Sequence, residues 1–534
     1  MTDRIFKFSG LNHFLDYYQP ATPEGRKDKA ERKIYTSITE LKRAHDLVGI
    51  LISFIGKEKE KVDKISYHLK RIPLLNDRFI KGELRSELHC LKKFLHNYRS
   101  ITTLLPLTLK KQFLLDFNSD VLLELLGYEE EEQESFFVKE GYSDELKDVR
   151  ASLREIDIKL SRIKKDRIET IREKYSLDFR FNDFLVIDES SIPDDSETFL
   201  YIEPYDNTSV VVKPQLGRDF YDRRNSASPL YNREKELEEE ILNSLAGAVE
   251  EERKSINQCV EAVKIFDISL ARAEMAVRFK SIRPRFSEEG HIAIDSLMYI
   301  PLKERCGEEG EVYTPLSARF DTRHIVISGS NMGGKTIVLR SLLFAQILAQ
   351  MGFFVPAAMF STVLFQSINL IGDRSSSGER GLSSFGVEIM SLIDSGNDGN
   401  TLYIIDEFAK TTNSTEAYAL NSALLESFSR QKSFWSFSST HQENLPPLKN
   451  VSYWSMKGLD HLKYSEYFYN EFKGNQSDRI KLINKYMNYH IQPKHSGSEE
   501  SRDALKIARI LGLDSKTLEY AEKYLEKEEL QNEQ

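Results

Sequence analysis

The chain of 534 residues is long enough for roughly two to four domains, at least one of them with a large hydrophobic core. Hydrophobic residues make up 40% of it and charged residues 30%, which is typical of a globular protein with long charged helices. The formal net charge of −10 excludes coating of nucleic acid by bulk positive charge, so any such contact would need a local basic patch.

The cysteines and the apolar stretches predict a cytoplasmic protein. Cys90, Cys259 and Cys306 are odd in number and widely spaced, which favours reduced, buried thiols over a disulfide framework or a zinc site. The N-terminus MTDRIFKFSG lacks the basic and apolar regions of a signal peptide. No apolar stretch reaches the ~20 residues of a membrane span, so no membrane partner is predicted.

The first part of the chain is predicted to be helical. Apolar residues recur at three- to four-residue spacing within residues 28–125, and a long charged helix is predicted over 143–175. The second half of that helix is basic: Lys159, Arg162, Lys164, Lys165, Arg167, Arg172 and Lys174. These residues either track DNA phosphates, with Lys164, Arg167 and Lys174 on roughly one side, or form a solvated face with ion pairs.

A small sheet is predicted next, followed by long helices. The runs FNDFLVID, FLYIEP and SVVVKP are rich in β-formers and are broken by turn residues. From Tyr231 the helical pattern returns and continues to Phe279, as one helix or a pair. A helix of that length spans a domain rather than packing inside one.

From about Ile292 the pattern changes to alternating strands and helices. RHIVISG, TLYIIDE and SFWSFSSTH are predicted strands separated by helical segments, which indicates an α/β domain with a mainly parallel sheet. The predicted domains are a helical core region at 1–140, a clamp-like charged helix with a β insertion at 141–230, long lever helices at 231–290, and the α/β domain with C-terminal helices at 291–534.

The stretch GSNMGGKT has the spacing of a phosphate-binding loop, with a predicted strand before it and a helix after it. Glycines let backbone N–H groups point into one concavity, and the helix N-terminus adds positive potential. We expect Lys335 to reach the β- and γ-phosphates and Thr336 to ligate Mg²⁺. The predicted nucleotide-binding residues are Gly329, Ser330, Asn331, Met332, Gly333, Gly334, Lys335 and Thr336.

Further polar residues follow later strands. Asp406, at the end of LYIIDE, can join the Mg²⁺ shell, and Glu407 can orient or deprotonate the attacking water. His441 could hydrogen-bond the γ-phosphate or the water as a neutral imidazole. The alternatives are a strand that merely ends in acids and a structural histidine. The segment GERGLSSFGVEI, residues 378–389, can offer hydroxyl and backbone donors to a phosphate.

Together these motifs resemble the MutS family of ABC-type ATPases. SGSNMGGKT is similar to the family's phosphate loop, IIDEFAKTTNSTEA to its acid pair and D-loop, and STH to its switch histidine. GLSSFGVEI looks like the signature segment, with Ser383 in the place of the signature serine. The resemblance is strong over about residues 320–445. It implies an α/β ABC-type P-loop ATPase domain plus a mainly α-helical core and lever region with a small β insertion.

The resemblance also implies a mechanism and an assembly. ATP would be hydrolysed with Mg²⁺ in a homodimer, or in a heterodimer with a related subunit. Each ATP would lie between one subunit's Lys335, Thr336, Asp406 and Glu407 and the partner subunit's Ser383. Nucleotide state would then move the helical arms.

Two outputs of that movement are open. The first is ATP-gated binding to duplex DNA, as in mismatch repair, although the family's mismatch-reading wedge is not evident before the phosphate loop. The second is reactivation of an adenosylcobalamin-dependent aminomutase. The run DEFAKTTN looks most like the branch that reactivates lysine 5,6-aminomutase, and it carries Ala409, Lys410 and Thr411 where the family usually has a glycine-containing turn.

Overall fold

The computed structural model describes residues 3–76, 83–127, 135–287, 290–329, 333–372, 384–395, 399–442, 445–459, 476–494 and 503–532. The chain divides into two compact units: unit 1 comprises Met1–Lys70, Lys111–Phe113 and Ala262–Gln534, and unit 2 comprises Arg71–Lys110 and Leu114–Glu261. The four domains named above stay predictions. Within the described ranges no helix is long and apolar enough to cross a bilayer.

Unit 1 begins with helices, and the first two of them precede the range 28–125 in which helical periodicity was found. They are α1 (Asp3–Phe8), α2 (Leu11–Tyr17), α3 (Pro23–Glu31), α4 (Ile38–Lys57) and α5 (Lys59–Arg71). Phe6, Leu11 and Phe14 of the first two helices are buried in the same core as the strands of the α/β part. Periodicity does not predict this packing, because it shows that a helix face is apolar but not which surface covers it.

Residues 84–278 comprise helices and a small sheet. The elements are α6 (Leu84–Leu104), α7 (Leu107–Gln112), α8 (Asp120–Leu125), α9 (Asp144–Tyr175), β1 (Leu185–Asp188), β2 (Leu200–Pro204), β3 (Ser209–Pro214), α10 (Arg218–Glu251) and α11 (Arg253–Arg278). The long charged helix is confirmed as α9, and the Ser143 side chain accepts the Leu146 N–H at its start. The small sheet is also confirmed, antiparallel in the order β1-β3-β2.

The helices after the sheet differ from the prediction in where they begin. The helical pattern from Tyr231 onwards belongs to two helices, α10 and α11, with the break at Glu252. However, α10 starts at Arg218 and runs through Pro229. A proline removes only one N–H donor and a helix can continue past it, so Pro229 does not mark the start of the helix.

The basic side of α9 is occupied by contacts within unit 2. Lys164 lies 3.3 Å from Asp183, and Lys174 lies 2.5 Å from Asp195. Arg167 donates to the carbonyl oxygens of Gln215 (2.9 Å) and Thr198, and its guanidinium lies 3.8 Å from the ring centroid of Phe199. These three side chains, left open above between a phosphate track and a solvated face, therefore contact the segments that flank the strands of the small sheet.

The remaining elements belong to unit 1. They are β4 (Arg285–Phe286), β5 (Ile292–Leu297), α12 (Ile300–Glu309), β6 (Leu316–Phe320), β7 (His324–Ser328), α13 (Lys335–Gln350), β8 (Met359–Thr362), β9 (Ser367–Ile371), α14 (Ser384–Ile393), β10 (Thr401–Asp406), α15 (Ser414–Ser429), β11 (Phe434–Ser439), β12 (Val451–Leu459), α16 (Gln476–Tyr486), β13 (Met487–Pro493), α17 (Asp503–Leu511) and α18 (Ser515–Asn532).

The predicted mainly parallel sheet is confirmed. It has six strands in the order β13-β12-β7-β11-β10-β9, and only β13 runs antiparallel to its neighbour. A second sheet, in the order β4-β8-β5-β6, is not predicted by the sequence analysis. Helix α13 is buried on nearly every side, with Leu339, Leu343 and Phe344 fully inaccessible. Packing around these buried side chains holds α13, the helix that begins at the phosphate loop, in place.

The cysteines are all free thiols. Cys259 and Cys306 are buried as predicted, whereas Cys90 is only half-buried. The prediction of three buried thiols is thus wrong for Cys90. This residue lies on α6 but outside the helix face that buries Leu88 and Leu91.

Candidate nucleotide-binding and catalytic site

Three neighbouring parallel strands bring the predicted site residues to one edge of the six-stranded sheet. In the register, Asp406 of β10 lies opposite Ser439 of β11, and Ser439 lies opposite Ile327 of β7. Gly329 and Glu407 directly follow β7 and β10, and His441 comes two residues after the end of β11. The carboxyl ends of parallel strands are where α/β proteins bind ligands.

The phosphate loop leads straight into α13. Gly334 has φ 92°, and a Cβ there would lie 3.3 Å from Cδ1 of Tyr489, so both backbone conformation and space favour glycine. Lys335 is 3% exposed, and its Nζ donates to the carbonyl oxygen of Gly329. Gly333 is buried beside them. The predicted contacts of Ser330, Asn331 and Met332 lie outside the described residues.

Thr336 and Asp406 are in direct contact. The Thr336 hydroxyl donates to the two carboxylate oxygens of Asp406 at 3.0 and 3.2 Å. The Ser439 hydroxyl donates to Asp406 Oδ1 at 2.6 Å. Burial raises the pKa of the Asp406 carboxyl, and the hydrogen bonds from Ser439 and Thr336 oppose that shift.

These oxygens fit Mg²⁺. A hydroxyl and a carboxylate are the hard donors that Mg²⁺ prefers, and it commonly takes one or two protein ligands together with substrate phosphates. A buried carboxylate whose pKa is raised also gains most from a nearby cation. Thr336 and Asp406 would hold the ion, whose chemistry is to neutralise charge on the phosphate oxygens.

Glu407 lies between two nitrogen groups. Its Oε1 contacts Nε2 of His441, and its Oε2 contacts Nζ of Lys410. On its other side, His441 Nδ1 lies 3.4 Å from Lys335 Nζ. Because an ammonium can only donate, Nδ1 must accept, so the proton of a neutral imidazole is on Nε2 and is donated to Glu407.

The charges around Glu407 set its protonation. Partial burial acts to raise the pKa of the Glu407 carboxyl, but Lys410 and His441 outweigh burial, so the pKa is lowered and the group is an anion at neutral pH. Burial, and then the positive charge of Lys335, lower the pKa of His441. The imidazole is therefore neutral at pH 7, as predicted from the sequence.

The turn after β10 has an unusual backbone. Glu407 and Ala409 have φ of 55° and 59°, a region that is rarely adopted outside glycine. The adjacent Gly372, after β9, has φ 98°, and a Cβ there would lie 2.0 Å from the carbonyl oxygen of Asp406. Such conformations cluster at functional sites, because the surrounding contacts must enforce them.

The structure thus brings Lys335, Thr336, Asp406, Glu407 and His441 together, in the places the motifs predict. Ser383, the predicted signature serine, lies outside the described residues, and α14 begins directly after it. The roles of all six residues in binding and catalysis stay predictions.

Two residues of this cluster were missed. Ser439 binds Asp406 and also accepts the Glu407 N–H at 3.1 Å, and Lys410 contacts the Glu407 carboxylate. Ser439 could have been found from the parallel pairing, because it comes two residues before His441 on the strand beside Asp406. Lys410 was noted only as a departure from the family's turn, and its distance of three residues from Glu407 was not used to predict their contact.

Known proteins are similar to this chain over the region that contains the site. Residues 325–529 match the family model of MutS domain V. The MutS domain V match includes Lys335, Asp406 and His441 and ends within α18.

Curated relatives agree with the domain match. An "Endonuclease MutS2" of Leuconostoc mesenteroides is 30% identical over 240 residues, covering 43% of this chain and 29% of the relative. An "Endonuclease MutS2" of Clostridium novyi is 28% identical over 339 residues, covering 60% and 42%. A "DNA mismatch repair protein MutS" of Thermus aquaticus is 29% identical over 220 residues, covering 40% and 26%.

These matches support membership of the MutS family, and the mixed α/β fold fits a MutS-like ATPase core. The matched regions span less than half the length of each of these relatives. None of the three is named as an aminomutase-reactivating factor, so the predicted likeness to that branch gains no support from them.

Proposed function

We propose that this protein is a MutS-type ATPase that hydrolyses ATP with Mg²⁺ and uses the cycle to change the conformation of a dimer. The observation that carries the proposal is the contact chain Lys335–His441–Glu407, which lies beside the Thr336–Asp406 pair at one sheet edge. A structural histidine or a strand merely ending in acids would not require these five side chains to converge.

Each side chain then has a defined task. The buried Lys335 ammonium binds phosphate oxygens in place of its present contact with Gly329, because charge-assisted hydrogen bonds to phosphate are stronger than those to a neutral carbonyl. Glu407, an anion, accepts the proton of the attacking water. The neutral His441 donates its Nε2–H to the Glu407 carboxylate and so orients it. Its Nδ1 faces the ammonium group of Lys335.

The dimer is tested by mixing two inactive variants, one with Lys335→Ala and one with Ser383→Arg. If one subunit's Lys335 works with the partner subunit's Ser383, each mixed dimer has one site with both residues intact. Random mixing should then restore about a quarter of wild-type ATP turnover, because half the dimers are mixed and each has one working site of two.

Subunit exchange is verified by pull-down through a tag on one variant, and each variant alone is the baseline. Absence of recovery in verified mixed dimers would show that Ser383 does not act across the interface, and would contradict the sandwich arrangement.

The proposed output is ATP-gated binding to duplex DNA. It rests on the similarity to relatives that are named as an endonuclease and as a DNA mismatch repair protein. The basic side of α9 adds nothing to it, because Lys164, Arg167 and Lys174 have partners within unit 2. Reversing their charge would break those contacts and is therefore not a clean test of DNA binding.

A cleaner test varies nucleotide and salt. We expect ATP with Mg²⁺, compared with ADP, to change the affinity for a matched duplex by about 5- to 150-fold, the usual range of coupling between two sites. The logarithm of affinity should fall linearly with the logarithm of salt concentration if phosphates are contacted. Fluorescence anisotropy with matched and mismatched duplexes measures both, and we expect no preference for the mismatch. Equal binding in ATP and ADP would contradict gating, and no binding at low salt would point to a protein client instead.

A further inference from the structure

Helix α14 is joined to the catalytic turn by a buried carboxylate. Glu388, on α14, accepts the backbone N–H of Ala409 through Oε2 at 2.8 Å. Both residues are buried: Glu388 is 7% exposed and Ala409 is inaccessible. An ionisable side chain is rarely buried without a specific partner, so this contact calls for an explanation beyond packing.

The residue that Glu388 binds lies two positions after Glu407. Because Glu407 and Ala409 both have positive φ, the turn has a conformation that non-glycine residues disfavour. It persists only if contacts enforce it. The Glu407 N–H is fixed by Ser439, and the Ala409 N–H is fixed by Glu388.

The intervening residue, Phe408, is also anchored to α14. It is buried, and its ring centroid lies 6.5 Å from that of Phe385, one turn before Glu388. Ile389 and Leu392 of α14 pack against the same small core as Phe408 and Ala409. One face of α14 therefore contacts the turn in two ways, through apolar side chains and through the hydrogen bond that Glu388 accepts.

We propose that Glu388 is a positioning residue for ATP hydrolysis: it fixes the turn that carries Glu407 to α14, so that the placement of α14 sets the direction of the Glu407 carboxylate. In this role Glu388 acts through the hydrogen bond that it accepts from the backbone N–H of Ala409, not through contact with the reacting atoms. The inference rests on the proposed ATPase function. Through Glu388, the helix α14, which follows the predicted signature serine, is connected to the turn that carries Glu407, the proposed general base of the same subunit.

The test compares Glu388→Ala with Glu388→Gln. Glutamine retains an oxygen that can accept the Ala409 N–H, whereas alanine leaves that N–H buried without an acceptor. We expect Glu388→Ala to lower kcat by about 10- to 100-fold, the effect of small misplacement of a catalytic group, with the Kd for ATP changed by less than about threefold. Glu388→Gln should retain kcat within about threefold of wild type.

Two readouts separate positioning from a loss of folded protein. ATP-binding sites are counted by calorimetry, so kcat is expressed per intact site, and hydrogen exchange of the peptide over residues 407–412 reports the Ala409 amide directly. Exchange should accelerate in Glu388→Ala and remain slow in Glu388→Gln. The matched control is Glu426→Ala, which removes an exposed glutamate of α15 paired with Arg430 and should change neither readout.

The outcomes are distinct. An active wild type with unchanged kcat per site in Glu388→Ala, or a Glu388→Gln variant as impaired as Glu388→Ala, would overturn the positioning role alone. A wild type without ATPase activity would overturn the proposed function and this inference with it.

Discussion

Replacing Glu407 with alanine is expected to lower ATP turnover by about two to four orders of magnitude, the range for loss of a positioned general base. The physical reason is the loss of the Glu407 carboxylate, which His441 and Lys410 hold in place and which would accept the proton of the attacking water. Affinity for ATP should remain close to that of wild type, because Glu407 does not belong to the phosphate loop. Phosphate release measures turnover, and calorimetry measures affinity.

The Glu407→Ala variant also leaves Lys410 without its carboxylate partner. Lys410 is 40% exposed, so water can replace that contact and the fold should survive. Turnover within a factor of about three of wild type would show that Glu407 is not the base, since general-base loss costs at least about 100-fold.

Replacing Lys335 with alanine should have the largest effect on binding. Lys335 is 3% exposed and lies at the first turn of α13. The other lysine of the cluster, Lys410, contacts Glu407 on the side away from His441 and Lys335, so it is not placed to substitute for Lys335 at the phosphate oxygens. We expect ATP affinity to fall by at least about 100-fold, consistent with loss of charge-assisted hydrogen bonds that each contribute about 1.5–3 kcal/mol.

The control for that prediction is Lys432→Ala, which removes an exposed lysine from the loop between α15 and β11. Titration calorimetry with ATP and Mg²⁺ should give wild-type affinity for Lys432→Ala. Wild-type affinity in Lys335→Ala would mean that GSNMGGKT is a glycine-rich turn without a role in phosphate binding.

Motifs with fixed spacing predicted which side chains the fold brings together. The spacing of GSNMGGKT, the acids at the end of β10 and the histidine after β11 each specify a position relative to a strand, and parallel strands bring those positions together. Periodicity likewise predicted α9 and the small sheet, because both are long or regular enough for their pattern to be read.

Contacts between distant segments could not be predicted in this way. The link from Glu388 to Ala409, and the burial of Phe6 and Phe14 in the core of the α/β part, depend on how elements pack and not on local spacing. The basic side of α9 is a further case in which local spacing did not reveal the contacts of the side chains. Its charges were correctly located, but the carboxylates that pair with Lys164 and Lys174 lie about 20 residues further along the chain, one before β1 and one between β1 and β2.

The central claim is that this cluster of side chains hydrolyses ATP with Mg²⁺. It is tested most directly by measuring phosphate release from ATP by the wild-type protein with Mg²⁺ and with excess chelator, with Lys335→Ala purified in parallel to measure contaminating activity. The account predicts turnover that requires Mg²⁺ and falls to the chelator background in Lys335→Ala. Equal phosphate release by wild type and Lys335→Ala, with or without Mg²⁺, would contradict it.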